Sequence, residues 1–198
     1  MKPAAISFRA LGLALAAAGS IFAAQAGDVF DFIPLGGRSL LAQVLAGRKA
    51  EDINAVVAAR RSREEWGTYL KSHGAQFPAA QKLSDKQLLT LADYMSFNLP
   101  LAAGKAPSSP TQAAWEKALP MDGRDMALEY CQGCHIITVV ITQDRAKAAW
   151  LGSLNKPSHV GIKLNAQQRD ALTNYLVLNA AIPIDQVPED LRAGGATY

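Results

Sequence analysis

An all-α fold follows from three features of the sequence: a duplicated pair of helical segments, a capping signal before the second segment of each copy, and strand signals too sparse to assemble a sheet. The first copy reads RRSREEWGTYL from Arg60 and KLSDKQLLTLADYMSFNLP from Lys82. The second reads DRAKAAWLGSL from Asp144 and KLNAQQRDALTNYLVLNAAIP from Lys163. Trp66 and Leu70 match Trp150 and Leu154, and Leu83, Leu91, Tyr94 and Asn98 match Leu164, Leu172, Tyr175 and Asn179 at constant spacing. Between the two segments the second copy is three residues shorter.

The chain opens with a basic start at Lys2 and Arg9, an apolar run from Leu11 to Ala24, and the small-x-small triplet Ala24-Gln25-Ala26. That pattern predicts a signal peptide over residues 1–26 and a mature protein from Gly27. A retained N-terminal anchor is the alternative, and the good cleavage signature and the lack of stop-transfer charges count against it. No cysteine stands at the cleavage point, so a lipoprotein is not expected. Removing Lys2 and Arg9 leaves 18 of the 20 basic residues against 17 acidic ones, a balance with no electrostatic footprint for nucleic acid. No later stretch has the apolar length of a membrane-spanning helix.

Two helical lobes are expected, over residues 27–100 and 111–198, joined by the Pro-bearing, aperiodic stretch LAAGKAPSSP at 101–110. Ser84 with Gln87, and Asn165 with Gln168, have capping-box spacing and predict helix starts there. Leu172, Tyr175, Leu176 and Asn179 share one side of the last helix, whose apolar members should face a core. The β-branched run from Ile136 to Thr142 could be extended, but it lacks a partner run. The tail from Pro188 to Tyr198 has little apolar material and should pack loosely.

The only two cysteines lie in CQGCH, Cys131 to His135. Cys-x-x-Cys-His is the attachment pattern of c-type haem: two thiols about one helical turn apart reach two vinyl groups on one edge of the macrocycle, and the next residue turns its imidazole to the iron. A thiol redox centre would normally accompany a βαβ pattern, which is absent, and a bare disulfide leaves the histidine unexplained. A zinc site wants four ligands, and no second Cys or His pair stands at comparable spacing.

From about Thr111 to Ala181 the chain resembles a class I c-type cytochrome of the bacterial, exported kind, with a helix leading into CQGCH, a helix bearing Trp150, and a final helix ending in NYLVLN. The resemblance implies one covalent haem c per chain, His135 as proximal ligand, and a distal ligand from the loop between Trp150 and Leu164. That family usually supplies methionine there, but Met1, Met95, Met121 and Met126 all precede His135. His159, in NKPSHVG, is the strong ligand in the loop. A solvent-exposed His159 beside an open iron, or ligation by Met121 or Met126, are the alternatives. Trp150 and Tyr175 are expected to pack around the haem, and Arg145 and Lys147 to be solvated.

Counting back from the tryptophan pair sets Gly47, Ala50 and Glu51 opposite Cys131, Cys134 and His135, so the first lobe is expected to be a haemless cytochrome c-like copy. Its vacated volume must be filled, and Phe30, Phe32, Leu40, Leu41, Val44 and Leu45 are the candidates. His73 stands near the place of a distal ligand but lacks a proximal partner. The expected activity is periplasmic electron transfer with a redox protein partner, such as an exported dehydrogenase or a terminal oxidase. An enzyme or ligand sensor with an open distal position is the alternative.

Overall fold

The computed structural model describes residues 28–192; the expected signal peptide and residues 193–198 lie outside them. Among the described residues there are nine α-helices and no strand: α1 Gly37–Leu45, α2 Ala50–Val57, α3 Arg63–Ser72, α4 Asp85–Asn98, α5 Gln112–Ala118, α6 Gly123–Met126, α7 Thr138–Ile141, α8 Lys147–Leu154 and α9 Ala166–Asn179. None is long and apolar enough to cross a membrane. The β-branched run is helical at α7, where the Thr142 hydroxyl donates to the Thr138 carbonyl one turn back at 2.6 Å.

The long helices α4 and α9 start where the capping boxes predict. Gln87 N–H donates to Ser84 Oγ and Ser84 N–H to Gln87 Oε1; Asn165 and Gln168 repeat the exchange at 2.8 and 2.9 Å. Each helix buries its matched side. Leu91 and Leu172 are fully enclosed, and Asn98 and Asn179 each donate a side-chain N–H to the carbonyl of the tyrosine one turn earlier.

Two buried clusters result. The first gathers Leu40, Leu41, Val44, Leu45, Trp66, Leu70, Phe77, Leu91 and Tyr94. The second gathers Met126, Ile137, Trp150, Leu154, Leu172, Tyr175 and Leu176.

Membership of these cores crosses the stretch expected to be a linker. Trp115 and Leu119 belong to the first core, while Ile33 belongs to the second with Phe30 and Phe32 packed against it. Contrary to the expectation from sequence, Phe30 and Phe32 therefore do not fill the first lobe. They precede α1 and lie across the junction, because Arg124 holds the Phe30 carbonyl at 2.9 Å and pairs with Asp28. The 101–110 stretch is itself tied down: Leu101 N–H donates to Val57 O, and Gly47 N–H, in a left-handed turn (φ 67°), donates to Pro110 O.

The exchange is reciprocal. Tyr94 donates its hydroxyl to the Pro120 carbonyl at 2.7 Å and Tyr175 donates to the Pro34 carbonyl at 2.6 Å. Arg38 reaches the Glu116 carbonyl as Arg124 reaches that of Phe30. A side chain at Gly37 would run into Tyr94, and one at Gly123 into Tyr175, so both helix crossings require glycine.

These pairs fix the register of the repeat. Pro34 to Arg38 (PLGGR) lies opposite Pro120 to Arg124 (PMDGR), and counting on from each glycine sets Leu45, Arg48 and Lys49, not Gly47, Ala50 and Glu51, opposite Cys131, Cys134 and His135. Asp122 caps α6 at this junction and also accepts the Arg38 N–H at 2.8 Å. Burial, with the charge of Asp125 beside it, pushes the Asp122 carboxyl up to about 6.

The end of the described chain is better anchored than its composition suggested. Val187 is buried, Leu191 packs on the second core, and Arg192 donates to the Val187 and Asp185 carbonyls.

Candidate functional site

The helix begun at Gly123 widens to a π turn over Ala127–Cys131, with Gln132 N–H reaching back to the Ala127 carbonyl. Such widenings are rare and concentrate at functional sites. The chain then closes tightly: Cys134 and His135 N–H both point to the Cys131 carbonyl, at 3.2 and 2.9 Å. The Gln132 side chain accepts from Ile137 N–H at 2.8 Å and ties the turn to α7.

The Cys131 thiol is half-buried and Cys134 is exposed, and the two are not bonded to each other. Burial, then the neighbouring Cys134, pushes the Cys131 thiol up to about 11. Among the described residues no three His, Cys, Asp or Glu side chains converge on a common metal position, whereas a structural zinc ion takes four protein ligands.

The His135 and His159 rings, 24 residues apart in sequence, stand 6.1 Å apart between centres and within 26° of parallel. Two imidazoles sharing one metal ion have ring centres roughly 6 Å apart, given about 2 Å for each metal–nitrogen bond and about 1 Å from nitrogen to ring centre. Ser158 Oγ lies 3.1 Å from His159 Nδ1, which leaves Nε2 as the free ligand atom. Ile136 and Val160, the next residues after the two histidines, are 53% and 62% exposed. Leu128, Tyr130, Cys131 and Ile162 are likewise only partly covered.

The residues present therefore suit haem. The macrocycle brings its own four nitrogens, so two imidazoles are all the protein must supply; two thiols stand on one turn beside them, and exposed apolar side chains flank both.

The first copy differs where chemistry would matter. His73 stacks on Tyr69 at 4.0 Å, its Nδ1 lies 2.9 Å from the Tyr69 carbonyl, and Tyr69 packs in turn on Trp66 and Phe77. Arg61 covers Trp66 and Tyr69 as Arg145 covers Trp150. Counting from the tryptophans, Ser153 holds the Tyr69 position in the second copy.

Other expectations resolve on geometry. Lys147 pairs with Asp170 at 2.6 Å. Met126 is core and Met121 is exposed. Tyr175 serves the junction described above. Trp150 is buried with its indole N–H unpartnered among the described residues, but the same holds for Trp66, so that feature does not distinguish the two copies. Sequence reasoning missed Arg169, whose guanidinium lies behind the His159 loop, and the glycine–tyrosine crossings; the shared P-x-x-G-R at Pro34 and Pro120 was the available signal for the latter. No protein-family model, no curated protein and no solved structure matches the chain.

Proposed function

We propose that the chain is an exported monohaem c-type cytochrome built from two cytochrome c-like lobes, of which the second carries haem c on Cys131 and Cys134 with His135 and His159 as axial ligands. The observation that carries this reading is the approach of His159 to His135 beside a Cys-x-x-Cys-His turn. Bound haem would supply a one-electron carrier. The protein's own residues would do the rest: thioethers at Cys131 and Cys134 would make cofactor loss difficult, Ser158 orients the His159 ring, and the exposed Ile136 and Val160 would be covered by the bound macrocycle.

With His135 and His159 both holding the iron, the protein would carry electrons and do no bond-making on a substrate. The potential should lie below that of histidine–methionine ligation, which raises it. The partner would be a periplasmic redox protein, such as an exported dehydrogenase on the donor side or a terminal oxidase on the acceptor side. Such contacts are small and transient and need no large apolar patch. The open-iron enzyme or sensor reading requires His159 to stand away from His135, and the 6.1 Å approach favours ligation instead.

Absorption spectra of oxidised and reduced protein, with and without carbon monoxide, test the proposal. The expected result is a six-coordinate, low-spin iron in both states, with no methionine-to-iron charge-transfer band and no rapid carbon monoxide adduct. A high-spin ferrous protein that binds carbon monoxide at once would overturn it.

A further inference from the structure

Arg169 sits in the first turns of α9, facing the segment that carries His159. Its Nη1 donates to the Leu154 carbonyl at 2.6 Å, Nη2 to Ile162 at 2.9 Å and more loosely to His159 at 3.4 Å, and Nε to Leu164 at 3.2 Å. One planar fork thus grips the end of α8, the end of the loop and the histidine's own peptide.

Within the loop the local bonds are short-range turns: His159 N–H to Lys156 O, Ile162 N–H to His159 O and Leu164 N–H to Ile162 O. These turns shape the segment, Ile162 and Leu164 pack it on the second core, and Arg169 adds the side-chain hydrogen bonds that join it to α9. No carboxylate pairs with Arg169 among the described residues, so the charge is committed to peptide carbonyls. A rigid five-donor guanidinium suits that task, and a lysine ammonium on a flexible stem reproduces only part of it.

The repeat supplies an internal control. In the register of Leu91 with Leu172 and Tyr94 with Tyr175, the residue opposite Arg169 is Leu88, which packs against the first core. The first copy has no cysteine or histidine at its attachment turn, and its own histidine is held on Tyr69. The arginine accompanies the loop whose histidine approaches His135; the leucine accompanies the loop whose histidine does not.

We infer that Arg169 is a positioning residue for the distal ligand, holding the 155–163 loop so that His159 is presented to the iron; this rests on the bis-histidine reading above. Losing even one charge-assisted hydrogen bond of the fork should raise the population of the loop-open state about tenfold.

The test compares the haem-loaded full chain with its Arg169→Lys, Arg169→Leu and His159→Ala variants, each below its own melting transition. Arg169→Leu, which installs the residue of the first copy, should speed carbon monoxide binding to the ferrous protein by roughly tenfold or more and add a high-spin fraction. Arg169→Lys should fall between Arg169→Leu and the unaltered protein, and decides the matter if the leucine variant does not fold. Hydrogen exchange should rise in residues 155–163 and stay unchanged in α4.

Arg169 variants with a lowered melting temperature but unaltered carbon monoxide kinetics and spin state would make the residue merely structural and overturn the inference. If His159→Ala opens the iron and the Arg169 variants do not, only the role of Arg169 falls. If His159→Ala itself changes neither readout, the bis-histidine reading falls and takes the inference with it.

Discussion

Replacing His159 by alanine should convert a closed, low-spin haem protein into one that binds carbon monoxide on mixing. With His159 on the iron as proposed, an incoming ligand would have to wait for an imidazole to leave, so its apparent affinity would be reduced by the small fraction of molecules with an open iron. Removing the imidazole removes that factor, and an increase on the order of a hundredfold in the binding rate is expected. The attached haem should remain, because Cys131, Cys134 and His135 belong to a turn closed by its own hydrogen bonds, independent of the 155–163 loop. His73→Ala is the matched control. Its ring stacks on Tyr69 in the other core, so its loss should leave the spectrum and the carbon monoxide kinetics unchanged. A thioether offered by His159→Met should raise the reduction potential instead. Stopped-flow mixing of the reduced proteins with carbon monoxide measures the first effect, and wild-type kinetics in His159→Ala would sink the ligand assignment.

A fragment of residues 28–100 should not unfold cooperatively, whereas a fragment of residues 28–119 should. Trp115 and Leu119, 1% and 4% exposed, belong to the first core although they lie beyond the stretch that reads as a linker. Removing a buried tryptophan costs about 3–5 kcal/mol and a buried leucine about 2–5 kcal/mol, against a total stability of roughly 5–15 kcal/mol for a domain. The shorter fragment also loses α5 and the Glu116 carbonyl that Arg38 holds, whereas the Pro120 carbonyl that Tyr94 holds is missing from both. Thermal melting followed by circular dichroism distinguishes the two, and a sharp transition in the 28–100 fragment would contradict the described core.

The helices were legible where local chemistry decides the structure. Capping boxes at Ser84 and Asn165 act over four residues, and the Trp66 and Trp150 frames mark buried faces by spacing alone. The one-turn spacing of the two thiols was legible in the same way, and the Cys134 and His135 N–H groups close that turn on the Cys131 carbonyl.

What escaped was decided by contacts between distant segments. Composition marks 101–110 as a connector, but only the fold shows that Pro110 accepts a bond from Gly47 and that Trp115 enters the earlier core. The register set by the tryptophans drifts by two residues upstream. Gly37 against Tyr94 and Gly123 against Tyr175 correct it, because close approach of two helices leaves room for hydrogen alone. Arg169 was invisible for a different reason. An arginine in a polar first turn reads as surface, and its value lies in carbonyls supplied by a loop that has no sequence signature.

The central claim is that one haem is covalently held by the second copy and none by the first. The direct measurement is the intact mass of the protein matured in a host that attaches c-type haem, followed by the mass of the peptide spanning Cys131 to His135. One haem added per chain, resistant to acid-acetone extraction and recovered on that peptide, is the predicted result; a chain with no added mass, with two haems, or with haem that extracts freely would contradict it.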